Sequence, residues 1–209
     1  MTAAREEAFL VHLVDDDESV RRALARLVTS GGFDARPHAS AEAFLEAFDP
    51  AVPACAILDM NLPKLDGFAL RARIAAVLPE FPVVFLTGHG DIGMGVRAMK
   101  EGAFDFLTKP VKPGMFLKTI AAAKVQARQA QVETHCAARY EERLQSLTPR
   151  EAEVLEAVVS GNLNKQIAFD LGLAEKTVKV HRARVMKKMG MRTIADLVRA
   201  SVTRSIDAP

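Results

Sequence analysis

Over the first 122 residues, short strand-like runs alternate with helix-patterned segments, and this alternation constrains the fold more than any other feature. Phe9–Val14, Ala54–Leu58 and Val83–Leu86 read as interior strands, with Asp34–His38 and Asp105–Leu107 as shorter, weaker ones. Between them Val20–Val28, Ala41–Phe48, Phe68–Leu78 and Ile92–Lys100 carry apolar residues at helical spacing, and a fifth helical pattern follows Pro113-Gly114. Such alternation predicts a parallel sheet covered on both faces by helices. Right-handed crossovers then bring every strand's C-terminal end to one edge, where open α/β sheets bind their ligands.

The residues that reach this edge are unusual. The first strand ends in VHLVDDDE, so Asp15 and Asp16 crowd its end, while Asp59 ends the third strand, Thr87 the fourth, and Lys109 follows the fifth. Adjacent carboxylates repel, and burial resists their ionisation, so either something positive offsets the cost or the acids splay into solvent. Hard oxygen donors of this kind suit Mg²⁺. With Asp59 as nucleophile, the set fits phosphoryl transfer onto a carboxylate, Lys109 and Thr87 holding the remaining phosphoryl oxygens. Taken singly, an Asp after a strand is usually a cap or a solvated loop residue, which is the reading for Asp17, placed to cap the helix near Ser19, and for Glu18.

The segments VDDD, LDMNLPKLDGF, VVFLTGHGDI and GAFDFLTKP carry a resemblance. Residues 9–122 resemble the receiver domain of two-component response regulators. The resemblance implies a five-stranded flavodoxin-like domain phosphorylated on Asp59 by a sensor histidine kinase. It implies Mg²⁺ held by Asp16, Asp59 and the backbone carbonyl of Asn61, with Asp15 a ligand or just outside. Thr87 becomes the switch hydroxyl and Lys109 the phosphate partner. Phe106 matches an aromatic switch position often held by Tyr, although an aromatic in a strand also reads as ordinary core. Gly88, Gly90, Gly93, Gly95 and Gly102 cluster around the fourth helix and predict a loose, remodelled segment.

The net charge of +2 conceals an asymmetry: residues 1–122 hold 13 Lys/Arg against 16 Asp/Glu, and residues 123–209 hold 15 against 10. An acidic front and a basic back predict a cation site in one half and nucleic acid as partner of the other. No apolar run approaches the ~18 residues of a membrane span, the N-terminal MTAAREEAF lacks a secretory pattern, and Cys55 and Cys136 make no disulfide framework. The expectation is a reduced, cytoplasmic protein without membrane partner. Residues 123–146 form a predicted helical linker whose stripe of Ala121, Val125, Val132, Cys136, Tyr140, Leu144 and Leu147 is expected to pack on its own domain rather than in a strong coiled coil.

Residues 147–205 read as an all-α, four-helix domain. Thr148-Pro149-Arg150-Glu151 opens a helix with a capping box. Asn164 is the expected cap of a short second helix ending at Gly172, a third runs from Ala174-Glu175 to Met189, and Thr193 caps a fourth. Val154, Leu155, Ile167, Ala168, Leu171, Val178, Val185, Met186, Met189 and Leu197 are positioned to fill one small core. A helix, a glycine turn and a basic helix make a helix-turn-helix layout. That third helix carries Lys176, Lys179, Arg182, Arg184, Lys187 and Lys188 against the single acid Glu175, which suits phosphate contact from the major groove.

LTPREAEVL, GNLNKQIAFDLGL, EKTVKVHRARVMKKMG and TIADLVR resemble the DNA-binding domain of the LuxR/FixJ type. The resemblance implies that Lys179 and Val180 face bases while Thr177, His181 and Lys188 position the backbone; His181 also reads as a satisfied helix histidine. Ala183 offers an apolar contact or none. Almost the whole chain thus resembles a FixJ-like response regulator: a self-modifying switch, not a multiple-turnover enzyme. On phosphorylation it is expected to dimerise through the surface around the fourth helix and fifth strand and to bind paired half-sites, with RNA polymerase a further possible partner. Two alternatives stand beside it: a Mg²⁺-dependent phosphatase with an aspartate nucleophile, which has no use for residues 147–200, and a constitutive DNA binder with a non-switching receiver.

Overall fold

The computed structural model describes residues 9–88 and 92–207. The N-terminal segment and Gly90, both read above from sequence, lie outside the described residues. The chain divides between Val132 and Glu133 into two compact units.

The first unit holds β1 (Leu10–Val14), α1 (Glu18–Ser30), β2 (Asp34–His38), α2 (Ala41–Ala47), β3 (Ala54–Asp59), α3 (Gly67–Val77), β4 (Val83–Thr87), α4 (Ile92–Lys100), β5 (Asp105–Thr108) and the start of α5 (Pro113–Gln145). The sheet is wholly parallel in the order β2-β1-β3-β4-β5. Strand residues alternate between two cores, as a period of two requires. Ala56, Leu58, Val83 and Phe85 meet Phe44, Leu70, Ile74 and Ala98 from α2, α3 and α4. Val11, Leu13, Ile57, Val84 and Leu86 meet Leu24 and Val28 of α1 and Phe116, Ile120 and Ala123 of α5. β2 is an edge strand and therefore tolerates Pro37.

Local chemistry sets the helix starts. Asp17 caps α1, its Oδ1 accepting from the Ser19 and Val20 amides at 2.7 and 3.3 Å; Ser40 and Asp66 cap α2 and α3 in the same way. Between β1 and β2 lies a buried polar pair. His12 Nδ1 and His38 Nε2 are 2.9 Å apart, with the Phe44 ring edge-on to both imidazoles. Burial first, then the charges of His38 and Arg36, lowers His12 to about 4.

The second unit holds the end of α5 together with α6 (Pro149–Val159), α7 (Asn164–Asp170), α8 (Glu175–Met189) and α9 (Ile194–Asp207). All ten expected core positions pack together, joined by Tyr140, Leu144 and Leu147. The Thr148–Glu151 capping box is present, with the Glu151 amide donating to Thr148 Oγ1 at 3.3 Å and the Thr148 amide to Glu151 Oε2 at 2.9 Å. Gly190 ends α8 in the left-handed region at φ +63°.

Two local expectations need correction. Asn164 is the first residue of α7 rather than its cap, because the Gln166 side chain accepts the Leu163 amide at 2.7 Å and starts the helix one residue earlier. The α5 stripe does not pack throughout on its own domain: Val125 and Val132 are 67% and 60% exposed, and Cys136 is exposed too. In the first unit α5 instead buries Phe116, Ile120 and Ala123, with Ala127 partly covered. The larger side chains at 116 and 120 set the phase of the buried face, and the smaller Val125 and Val132 are turned outward.

Candidate metal centre and nucleic-acid interface

The sheet register lines up the polar strand ends. Val14 lies opposite Leu58, Asp59 opposite Leu86, and Thr87 opposite Thr108. Asp15, Asp59, Thr87 and Lys109 therefore meet at one level of the sheet edge. Asp15 and Asp59 are buried, Asp16 is exposed, and ligand oxygens of the three carboxylates lie within 4.8 Å of one another. Lys109 reaches into this cluster from the end of β5, its Nζ 2.6 Å from Asp15 Oδ2 and 3.1 Å from Asp59 Oδ1. The Lys109 amide donates to the Thr87 carbonyl at 2.7 Å, which ties the lysine's backbone to β4.

Electrostatics in the cluster pull in opposite directions. Burial raises the Asp59 carboxyl above its ordinary range and the nearby Asp15 and Asp16 charges add to this, while the Lys109 ammonium opposes it. Burial works against the Lys109 ammonium, but its bonds to Asp15 and Asp59 outweigh that and its pKa rises. Three converging carboxylates around one ammonium, all with hard oxygen donors, fit a small divalent cation. Asn61, two residues beyond β3, is exposed at the same loop.

Phe106 is not part of the carboxylate cluster. It pairs with Phe85 in register and packs partly buried against the α2–α4 core. Its ring runs beside α4, where a Cβ on Gly95 would lie 3.3 Å from Phe106 Cδ1.

Three supporting features escaped the sequence reading. Arg21 donates from Nη1 to the Asp15 carbonyl at 2.6 Å. Gly67 lets the start of α3 abut β3, since a Cβ there would sit 2.9 Å from the Asp59 carbonyl oxygen. Arg71 is buried and donates to the Gly102 carbonyl at 2.9 Å, joining α3 to the turn before β5. Only Gly67 had a readable signal, a glycine directly after the helix-capping Asp66.

In the second unit α8 is split by its environment. Val178, Val185 and Met189 are buried, whereas Lys176, Thr177, Lys179, Val180, Arg184 and Lys187 are exposed. Among the described residues the other three expected DNA-side positions are less open. Arg182 donates to Asn164 Oδ1. Lys188 Nζ contacts Glu151 Oε2 at 2.6 Å and the Ser146 carbonyl at 2.9 Å. His181 Nδ1 is buried without a hydrogen-bond partner. Arg143 caps the far end of α8, donating to the Met189 carbonyl at 2.7 Å. No described helix is long and apolar enough to cross a membrane.

Comparison with known proteins agrees with both halves. Residues 11–121 match the response regulator receiver domain family and residues 145–201 the luxR family of bacterial regulatory proteins. Nodulation protein W of Bradyrhizobium diazoefficiens is 42% identical over 95% of this chain and 88% of its own length. The transcriptional regulatory protein FixJ of Rhizobium meliloti is 41% identical, with 93% and 95% covered. Among solved structures the response regulator StyR is 40% identical with a TM-score of 0.82, covering 94% of this chain and 99% of StyR. Sheet topology, carboxylate cluster and basic helix thus agree with these matches: the chain belongs to the transcriptional response regulators that join a receiver domain to a LuxR-type DNA-binding domain.

Proposed function

We propose that Asp59 accepts a phosphoryl group from a sensor histidine kinase and that this modification controls DNA binding by residues 147–205. The observation that carries the reading is the placement of Lys109 Nζ between Asp15 and Asp59, 2.6 and 3.1 Å away. An Asp59 oxygen forms its bond to phosphorus as the donor's phosphorus–nitrogen bond breaks, leaving an acyl phosphate and a neutral kinase histidine. Asp15, Asp16, Asp59 and the Asn61 carbonyl would hold Mg²⁺, which supplies positive charge for the phosphoryl oxygens. Lys109 offers a further point charge and the buried Thr87 a hydroxyl for the new group. The Phe106 ring, beside Gly95, is suited to report Thr87's shift toward the phosphate.

The switch comprises residues 9–122, with 123–146 as the helical connector. Self-modification is stoichiometric, in a cytoplasmic protein. The modified receiver dimerises through the surface around α4 and β5, where Val96 and Met99 are 50% and 52% exposed. A two-fold dimer presents two α8 helices to paired half-sites, with Lys179 and Val180 toward bases and Lys176, Thr177, Arg184 and Lys187 toward phosphates. His181, Arg182 and Lys188 approach the same backbone, and RNA polymerase is the downstream partner.

The test is intact mass after incubation with Mg²⁺ and a small acyl phosphate, wild type beside Asp59→Asn. One Mg²⁺-dependent phosphoryl group on wild type alone is the expected result. Multiple turnover of phosphate esters would instead mark a phosphatase. DNA binding that ignores Asp59→Asn under phosphorylating conditions would mark a constitutive binder.

A further inference from the structure

Four acids follow β1 in succession, and each has a different surrounding. Asp17 caps α1. Glu18 meets Arg22 at the surface, 3.7 Å away, with the two side chains 70% and 72% exposed. Asp15 is engaged at every polar atom. Its amide donates to the His38 carbonyl at 3.3 Å, and its Oδ1 accepts from the Asp17 amide at 2.9 Å. Its Oδ2 accepts from Lys109 Nζ at 2.6 Å, and its carbonyl from Arg21 Nη1, also at 2.6 Å. Asp16 differs from the other three. Among the described residues its carboxylate has no hydrogen-bond or ion-pair partner, yet ligand oxygens of Asp15, Asp16 and Asp59 lie within 4.8 Å of one another.

A carboxylate without partners keeps its place only through its rotamer and its backbone. The backbone in question is the Asp15–Asp16 peptide, and the carbonyl of that peptide is the group that Arg21 holds. Arg21 stands at the end of the first turn of α1. Helical Cα–Cβ bonds tilt toward the N-terminus, so an arginine here reaches back over the helix start to the end of β1. A cation at this end of a helix opposes the macrodipole, and among the described residues Arg21 makes no ion pair. Ion pairing therefore does not account for its place, whereas the carbonyl contact does.

We infer that Arg21 is a positioning residue of the cation site: by holding the Asp15 carbonyl it fixes the peptide from which Asp16 departs, and so keeps that uncommitted carboxylate beside Asp59. The inference deepens the phosphoryl-transfer reading above and rests on it. A charged donor strengthens the bond to the carbonyl, and the rigid guanidinium gives it a fixed direction. Arg22, one residue on, carries the same charge but spends it on Glu18.

Position and charge predict opposite signs. Acting only as a nearby cation, Arg21 would oppose Mg²⁺, and its removal would tighten binding. Acting through the peptide, it pre-orders Asp16, and its removal leaves Mg²⁺ to bear the entropy of ordering that residue.

The full chain is titrated with Mg²⁺ and followed by its backbone amide signals, as wild type, Arg21→Met, Arg21→Lys and Arg22→Met. Arg21→Met should weaken Mg²⁺ binding about tenfold, the worth of one bond from a charged donor. Its Asp16 and Asp17 amide signals should broaden in the metal-free protein, with the rest of the receiver unchanged. Arg21→Lys, which keeps a charged donor on a shorter stem, should recover affinity to within about threefold of wild type. Arg22→Met removes an exposed charge from the same helix and should stay within about twofold of wild type. With a small acyl phosphate as donor, Arg21→Met should raise the Mg²⁺ concentration needed for half-maximal phosphorylation by the same factor and leave the rate at saturating Mg²⁺ unchanged.

A folded Arg21→Met that binds Mg²⁺ as tightly as wild type, or more tightly, overturns the inference and leaves the phosphoryl-transfer reading intact. So does a fall in the saturated rate without loss of affinity, which would put Arg21 on the phosphoryl group itself. If Arg21→Met does not fold, Arg21→Lys decides: amide signals of Asp16 and Asp17 identical to wild type despite weaker Mg²⁺ binding overturn the role assigned to the peptide. Wild type that neither binds Mg²⁺ nor takes a phosphoryl group overturns the reading on which the inference rests.

Discussion

Lys109 and Asp15, 94 residues apart in sequence, are joined by a 2.6 Å contact between ammonium and carboxylate. The lysine thus holds together acids that would otherwise repel, in the space where a divalent cation fits. Removing its charge has two opposed consequences. Lys109→Gln leaves Asp15, Asp16 and Asp59 less compensated, so the metal-free protein should melt at a lower temperature. The same loss makes the site more negative, so Mg²⁺ should bind about tenfold more tightly, equivalent to about 1.4 kcal/mol. Thermal melts and Mg²⁺ titrations of wild type and variant check both signs. Unchanged Mg²⁺ affinity would show that Lys109 does not compete for the carboxylates.

Gly67 is required by contact with backbone. A Cβ at this position would lie 2.9 Å from the Asp59 carbonyl oxygen and 3.2 Å from Met60 Cα, neither of which is the end of a flexible side chain. Gly67→Ala should therefore destabilise the receiver by about 1–3 kcal/mol and displace the residue that precedes the Asn61 loop. Denaturant unfolding gives the first quantity, and weakened Mg²⁺ binding reports the second.

The buried His12–His38 pair predicts a pH dependence outside the carboxylate site. His12 is lowered from 6.5 to about 4, first by burial and then by His38 and Arg36. The folded protein then binds fewer protons than the unfolded chain between these values, so stability rises with pH across that window. The contribution is complete above about 6.5 and is lost as pH falls toward 4. Between pH 7 and pH 5 the loss should be about 2 kcal/mol. His12→Gln, which does not titrate, should flatten that part of the stability profile in urea unfolding.

How far the sequence discloses such features depends on whether they are periodic. Strand-end polarity is periodic information, so Asp15, Asp59, Thr87 and Lys109 were legible together. Ile92–Lys100 and Pro149–Val159 were bounded correctly by glycine, proline and capping residues. Arg21, Arg71 and Arg143 were not legible, because each donates to a backbone carbonyl that carries no sequence signature. The outward turn of Val125 and Val132 was hidden for another reason. Two apolar phases coexist on α5, and only packing decides which is buried.

Lys188 and Lys179 look equivalent in sequence but should behave differently. Lys188 Nζ lies 2.6 Å from Glu151 Oε2, and Glu151 is buried and held down to about 2, first by Lys188 and then by the Thr148 amide. Because that carboxyl is depressed from its ordinary 4.5, the stability it contributes is present above that value and lost as pH falls through about 2. Lys188→Met strands a buried carboxylate, and with the ammonium itself one-third exposed the cost should be about 1–3 kcal/mol. Lys179 is exposed on α8, so Lys179→Met should leave the melting temperature within about a degree, because it removes no buried contact. Its effect should appear in DNA affinity. If Lys179 reads a base, specificity at one position relaxes by about 1–3 kcal/mol; if it contacts a phosphate, the salt slope falls by about one with sequence preference unchanged. Melting curves together with salt-dependent binding isotherms for the two variants separate a lysine that holds the domain as well as approaching the DNA backbone from one that meets DNA alone. A lowered melting temperature for Lys179→Met with no change in DNA binding would reverse the assignment.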